Sequence, residues 1–308
     1  MNKTKFIIIL ISGVLILFTS CNQQPPQQEK AQNEFTFAFL TDIHVQREKD
    51  AISGFRKAIT KVNELKPDFV ITGGDLVMDA LGQTYERADS LYHIYTTMMT
   101  EFNMPVFNTM GNHEIYGWYV LKDGDTNHPE YGKKMFENRI GPRFQRIDRF
   151  GWIIFILDSV VKDSTGDGYE GGVDAVQIAW LREQLASIGA ETPIIISLHI
   201  PLLTTEAQIL RGATAANDRN EVVVNSKEVI DLFNGHNLKL VLQGHLHYYE
   251  SLHVFGTNYV TAGAVSAAWW EGPFLGTEEG FLLLKAKGDE ISWEYVDYGW
   301  QAGKSSPL

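Results

Sequence analysis

Five short apolar runs in this chain hand over, within three residues, to Asp, Asn or His. After FTFAFL (35–40) come Asp42 and His44. After FVIT (69–72) comes GGD, ending in Asp75. After VFNTM comes GNHE, giving Asn112, His113 and Glu114. After PIIIS (193–197) comes His199, and after LKLVLQ (238–243) comes GHLH, with His245 and His247. A single histidine beside a core strand is usually a half-buried residue with one satisfied hydrogen bond. Five strand ends obeying one rule are not expected of unrelated core residues. Ligand sites in open α/β sheets form outside the carboxyl ends of the strands. The pattern therefore demands a fold that brings these five ends to one edge.

The segments between the runs support such a fold. Asp50–Leu65 places Ile52, Phe55, Ile59 and Val62 on one helical face. Tyr85–Phe102 and Asp174–Ile188 also read as helices, and Asp174 with Gln177 fits a capping box. Trp152–Asp158 is a further buried strand. Tyr116–Phe150 is mixed and rich in Gly and Asn, and reads as an insertion over a surface. Strands alternating with helices predict an α/β fold with much parallel sheet. NYVTAG, GFLLLKA and ISWEYVDY follow with no helices between them, and GDE (288–290) turns the last two into an antiparallel hairpin. With no internal repeat and no second linker, one catalytic domain is expected over residues 35–300.

Residue types narrow the chemistry. Imidazole and carboxylate together suit Zn, Mn or Fe, while the lack of thiolates argues against a closed structural zinc site. No GxSxG elbow is present, and the lone cysteine, Cys21, lies near the N-terminus, so Ser and Cys nucleophile triads have no support. GGD lacks the glycine spacing of the dinucleotide and P-loop motifs. The net charge of −12 and the absence of a basic patch make long nucleic acid an unlikely partner, and no protein partner is expected.

The N-terminus stands apart. MNKTK followed by the apolar run Phe6–Phe18, too short to span a bilayer comfortably, has the pattern of a secretory signal over residues 1–20. FTSC ends it, and the stretch resembles a bacterial lipoprotein signal in which Cys21 would be lipidated. NQQPPQQEKAQNE (22–34) has almost no apolar side chain and reads as a flexible tether. The expectation is an exported, membrane-anchored lipoprotein, periplasmic or at the cell surface, touching the membrane only through its lipid anchor.

Taken in order, DIH, GGD, GNHE, a lone His after a strand, and GHLH resemble the calcineurin-like metallophosphoesterase family. The resemblance implies a two-sheet β-sandwich flanked by helices. It also implies two divalent transition-metal ions: Asp42, His44, Asp75 and His247 would hold one, and Asp75 would bridge to a second completed by Asn112, His199 and His245. His113 would be the acid rather than a ligand. Glu114 beside it either orients that ring or raises its pKa, or is a solvated loop carboxylate. The family often has Asp or Asn where Met78 stands, with Asp79 one later. No arginine follows Asp75 closely, as it does in the protein-phosphatase branch. FILDSV and the later QIAWL resemble the branch of cyclic-nucleotide phosphodiesterase-like enzymes instead.

Two such ions lower the pKa of a shared water and clamp a phosphoryl group. The expected activity is therefore phosphoester hydrolysis, most simply of a small or nucleotide-like phosphodiester. A phosphomonoesterase, or a binding lipoprotein that kept the fold and lost the chemistry, are the alternatives. Tyr116, Trp118, Tyr119, Trp269 and Trp270 either stack on a substrate base or serve as core.

Overall fold

The computed structural model describes residues 34–119, 126–166 and 168–302. The signal segment, Cys21 and the tether as far as residue 33 lie outside the described residues. The elements run β1 (Glu34–Leu40), α1 (Ala51–Leu65), β2 (Phe69–Gly73), α2 (Tyr85–Met99), β3 (Val106–Thr109), α3 (Lys134–Arg139), β4 (Gln145–Arg149) and β5 (Trp152–Ile156). They continue with β6 (Val160–Lys162), β7 (Tyr169–Gly171), α4 (Ala175–Leu185), β8 (Pro193–Ser197), α5 (Glu206–Arg211), α6 (Ser226–Leu232) and β9 (Asn237–Gln243). The chain closes with β10 (Glu250–Val254), β11 (Thr257–Thr261), β12 (Gly280–Lys287) and β13 (Glu290–Asp297).

These strands form two large sheets, ordered β13-β12-β1-β2-β3 and β10-β11-β9-β8-β5-β4, and a β6-β7 ribbon. Strands β1, β2 and β3 are parallel, as are β5, β8, β9 and β11. Alternation along each strand sends side chains to two different cores. Phe35, Phe37, Phe39, Trp152, Ile154, Ile156, Ile195, Leu240, Leu242, Leu282 and Leu284 fill the space between the sheets. Ala38, Leu40, Val70, Ile153, Phe155, Ile194 and Ile196 point outward and are covered by Phe55, Ile59 and Val62 of α1, Tyr92 and Tyr95 of α2, and Ile178 and Leu181 of α4. Because both faces of the central strands are buried, their sequences are near-continuously apolar. A bulge in β9 shifts the register, pairing Ile194 with Leu238 but Ile195 with Leu240. That extra residue turns Leu240 and Leu242 into the sandwich while Leu238 faces the outer layer.

This is the helix-flanked sandwich that the sequence implied, with the C-terminal hairpin present as β12–β13. Two readings change. The 116–150 stretch is not a surface insertion: Tyr116, Trp118, Met135 and Phe136 are buried, and β4 adds the last antiparallel strand beside β5. The capping box is half made. Asp174 caps α4 through the Gln177 N–H (2.9 Å), but the Gln177 amide does not return the bond. It clasps the Asp158 backbone instead, accepting from its N–H (2.9 Å) and donating to its C=O (2.8 Å).

Candidate metal centre

The carboxyl ends of β1, β2 and β3 in one sheet meet those of β8 and β9 in the other, and direct bonds hold the seam. The His245 N–H donates to the Asp42 carboxylate (3.0 and 3.2 Å). His199 Nδ1 donates to Gly73 O (2.8 Å), and the Thr109 and Ser197 hydroxyls pair at 2.9 Å. Asp42, His44, Asp75, His245 and His247 all take left-handed backbone conformations, with φ between 46° and 72°. Each such non-glycine residue costs about 1–3 kcal/mol, and such residues cluster where a site must be shaped. The close approach also needs glycines. A Cβ at Gly111 would stand 2.2 Å from Asp75 Oδ1, and one at Gly244 would stand 2.0 Å from Thr41 Oγ1.

Three sets of side chains converge here, each with donor atoms within 4.8 Å of one another: Asp42, His44 and His247; Asp75, His199 and His245; and His44, Asp75 and His113. One atom links them. Asp75 Oδ2 lies 3.6 Å from His44 Nε2, 3.2 Å from His199 Nε2 and 3.7 Å from His113 Nε2. On the first side, His247 Nε2 is 3.4 Å from Asp42 Oδ1 and 3.0 Å from His44 Nε2. On the second, His199 Nε2 is 3.1 Å from Asn112 Oδ1 and 3.2 Å from His245 Nδ1.

The chemistry of this donor set fits cations. His199 and His247 commit their Nδ1–H groups to the carbonyls of Gly73 and Ala267 (2.8 and 2.5 Å), which orients Nε2 inward as a lone pair. His199 Nε2 then faces two oxygens and a nitrogen, acceptor against acceptor, and a cation relieves that conflict. Burial would lower His199, but Asp75 beside it and Asp42 push it up to about 9. Burial, and then the charge of His199, push His245 down to about 3. Burial and then His113 hold His44 well below the usual imidazole range. Burial would raise Asp75, but His199 and His113 hold it well below the usual carboxylate range.

His113 and Glu114 differ in kind. The His113 ring is 23% exposed, whereas the rings of His44, His199 and His247 are 4% exposed or less. Its Nδ1 donates to the Met78 carbonyl (3.2 Å), with Asp79 Oδ1 3.9 Å away, so its Nε2 faces the cage. At position 78 the backbone carbonyl makes this bond, so it does not depend on the side chain there. Burial would lower His113, but Asp75 and Asp79 raise it above the usual value. Among the described residues Glu114 forms no hydrogen bond with the His113 ring, but its charge adds to the upward push of Asp75 and Asp79 on that ring. It is fully buried and accepts four backbone N–H groups: Oε1 from Leu76 (2.7 Å) and Val77 (3.1 Å), Oε2 from Asp75 (3.0 Å) and Gly111 (2.6 Å). It ties the loop carrying Asp75 to the loop carrying Asn112. Burial and the neighbouring Asp75 push its carboxyl up to about 7.

Sequence reasoning missed three participants. Gln177 and Asp158 brace the end of β5, where Asp158 also takes Lys133 (2.5 Å) and Arg143 (2.7 Å). Asp79 reaches toward His113. Of the aromatics after GNHE, Tyr116 and Trp118 are core and Tyr119 is 40% exposed.

A sandwich whose two sheets end together in such a cage defines a class, the metal-dependent hydrolases of phosphoesters. The chain belongs to the calcineurin-like phosphoesterase family, which it matches over residues 35–249. Among characterised sequences it is similar to a probable cyclic nucleotide phosphodiesterase of Psychrobacter arcticus, 25% identical over 202 residues, 64% of this chain and 62% of that protein. The chain thus spans under two thirds of that relative's length. Among solved structures it is similar to a dimetal phosphatase from Danio rerio, with a TM-score of 0.57, 13% identity, and coverage of 86% of this chain and 99% of that one. It is also similar to GAP50, the anchor in the inner membrane complex of Plasmodium, with a TM-score of 0.54, 14% identity, and coverage of 86% and 85%. At these identities the structural likeness speaks for the fold alone.

Proposed function

We propose that this hydrolase is a phosphodiesterase acting on a small, nucleotide-like diester. One observation carries the preference for a diester. Among the described residues, no Lys or Arg side chain forms a hydrogen bond or ion pair with any of the nine residues from Asp42 to His247 named in the site. A dianionic monoester would gain from such a cation, and a monoanionic diester needs it less. The likeness to a probable cyclic nucleotide phosphodiesterase supports the same choice.

In this reading Asp42, His44, Asp75 and His247 hold one divalent ion, and Asp75, Asn112, His199 and His245 hold another. Mn, Fe or Zn suits these donors. When bound, the ions polarise the phosphoryl oxygens and acidify water. In its doubly protonated form His113 keeps the Nδ1–H on Met78 O and passes the Nε2–H to the leaving oxygen. Purified protein supplied with Mn should cleave bis(p-nitrophenyl) phosphate with higher kcat/KM than p-nitrophenyl phosphate, and the reverse order would overturn the diester reading.

The N-terminal pattern carries a separate proposal, that the domain from residue 35 to 300 is exported and held at a membrane by lipid on Cys21. Wild-type protein should take up labelled palmitate and sediment with membranes, and Cys21→Ser should not. A wild-type chain that stays unlabelled and soluble would remove the anchor.

A further inference from the structure

The strap after β11 carries two adjacent tryptophans with opposite fates. Ala267, Trp269 and Trp270 all have positive φ (40°, 50° and 71°), a conformation that bulky side chains rarely adopt. Trp270 explains its own strain. It is buried, donates its indole N–H to His44 O (3.1 Å) and packs edge-on against Trp300. Trp269 turns the other way and stays partly exposed. Its ring lies 4.3 Å from that of His247, tilted by 36°, and 6.1 Å from that of His44. Phe274 braces it edge-on at 5.7 Å. Its indole N–H has no hydrogen-bond partner among the described residues. The His113 ring also meets His44, edge-on at 4.6 Å and 88°. Trp269 and His113 thus both border the His44 ring.

We propose that Trp269, braced by Phe274, is the stacking platform for the base of a nucleoside phosphodiester and sets substrate choice. The inference rests on the diesterase reading and adds the residue that selects the substrate. The chain's net charge of −12 gives an anionic ligand no general attraction, so affinity for a small diester has to come from contact within the site. A strained, half-open indole beside two candidate metal ligands supplies a flat apolar face there, and every nucleobase has a face to match it.

The test compares Mn-loaded wild type, Trp269→Ala and Trp269→Phe on adenosine 3′,5′-cyclic phosphate and on its base-free counterpart, propane-1,3-diol cyclic phosphate. Binding of AMP is followed in parallel by isothermal titration calorimetry, and metal content is measured for each protein. Trp269→Ala should raise KM for the nucleotide and weaken AMP binding by about 10- to 100-fold, the range that base–aromatic stacking supplies. The base-free diester and the metal content should be unaffected, and Trp269→Phe should recover most of the loss. An equal loss on both diesters would mean that Trp269 only holds His247, and would overturn the platform. If Trp269→Ala changes neither nucleotide KM nor AMP binding while both diesters are cleaved, the platform falls and the diesterase reading stands. If wild type cleaves neither diester but Trp269→Ala still loses AMP binding, the diesterase reading falls and the platform stands.

Discussion

Glu114→Gln should be among the most damaging isosteric changes in this protein. The carboxylate divides its work evenly, with two backbone N–H groups on Oε1 and two on Oε2, at 2.6–3.1 Å. A glutamine can keep either pair. Whichever way the amide lies, its NH2 group then faces two buried N–H donors. A buried donor left unpaired costs about 1–3 kcal/mol, so two should cost about 4 kcal/mol in the metal-loaded protein. Removing the charge also relieves repulsion from Asp75, which raises the Glu114 carboxyl. That relief matters most without cations, so the loss should be smaller in metal-free protein. Urea unfolding at pH 8, where the wild-type carboxylate is ionised, measures both forms. Dialysis against limiting Mn should also show metal affinity reduced about 10- to 100-fold, the usual penalty for losing support behind ligands. A metal-loaded Glu114→Gln variant within about 1 kcal/mol of wild type would show that the two loops do not depend on this carboxylate.

Three further expectations follow from the geometry. Asp75→Asn removes the one carboxylate common to both donor sets, so metal analysis should find fewer than two ions per chain and turnover should collapse; two tightly held ions with activity intact would remove Asp75 from the bridge. His113→Ala should keep the metals and slow cleavage of a poor leaving group by roughly 10²–10⁴-fold, with a smaller loss for p-nitrophenolate. In metal-free protein Asp75 and Asp79 raise the His113 pKa against the lowering by burial, so its acid form persists above the ordinary value of about 6.5. With metals bound, the wild-type rate with the poor leaving group should have an alkaline limb where that acid form is lost, and the variant should lack it; equal losses for both leaving groups would sink the acid role. Gly111→Ala sets a Cβ 2.2 Å from Asp75 Oδ1 and 2.4 Å from Asp75 N, so metal content and thermal stability should both fall, and an unchanged melting temperature would mean that the loops part at little cost.

What the sequence made legible depended on where each residue's partners lie. Buried parallel strands are apolar throughout, so β1, β2, β8 and β9 stood out, and the Asp and His residues at their ends needed no further context. Strands β4 and β10 sit at sheet edges, where one side meets solvent. QRIDR buries only Ile147 and ESLHV buries no residue fully, so neither shows an apolar run. Glu114 neighbours His113 in sequence, which suggests a role on that ring, and its charge does act there. Its real partners at Asp75, Leu76 and Val77 are backbone groups, which leave no trace in residue identity. Met78 looked like a departure for the same reason, since only its carbonyl is used. Gln177 has the spacing of a capping box, but the free end of β5 offered it a better-buried pair of backbone groups.

The first sheet also decides when this chain can finish folding. Strand β1 is flanked by β2, which follows soon after it, and by β12, so that Phe37 lies beside Leu284. While the protein is being synthesised, one edge of the Phe-rich strand EFTFAFL has no mate, and the inner faces of both sheets lack the cover that Leu282, Leu284 and Ala286 later bring. Non-local pairing of this kind is slow, and an open apolar edge is a template for association with other chains. Productive folding is thus postponed until β12 has been made, and loss of β12 and β13 should yield aggregate rather than a smaller enzyme.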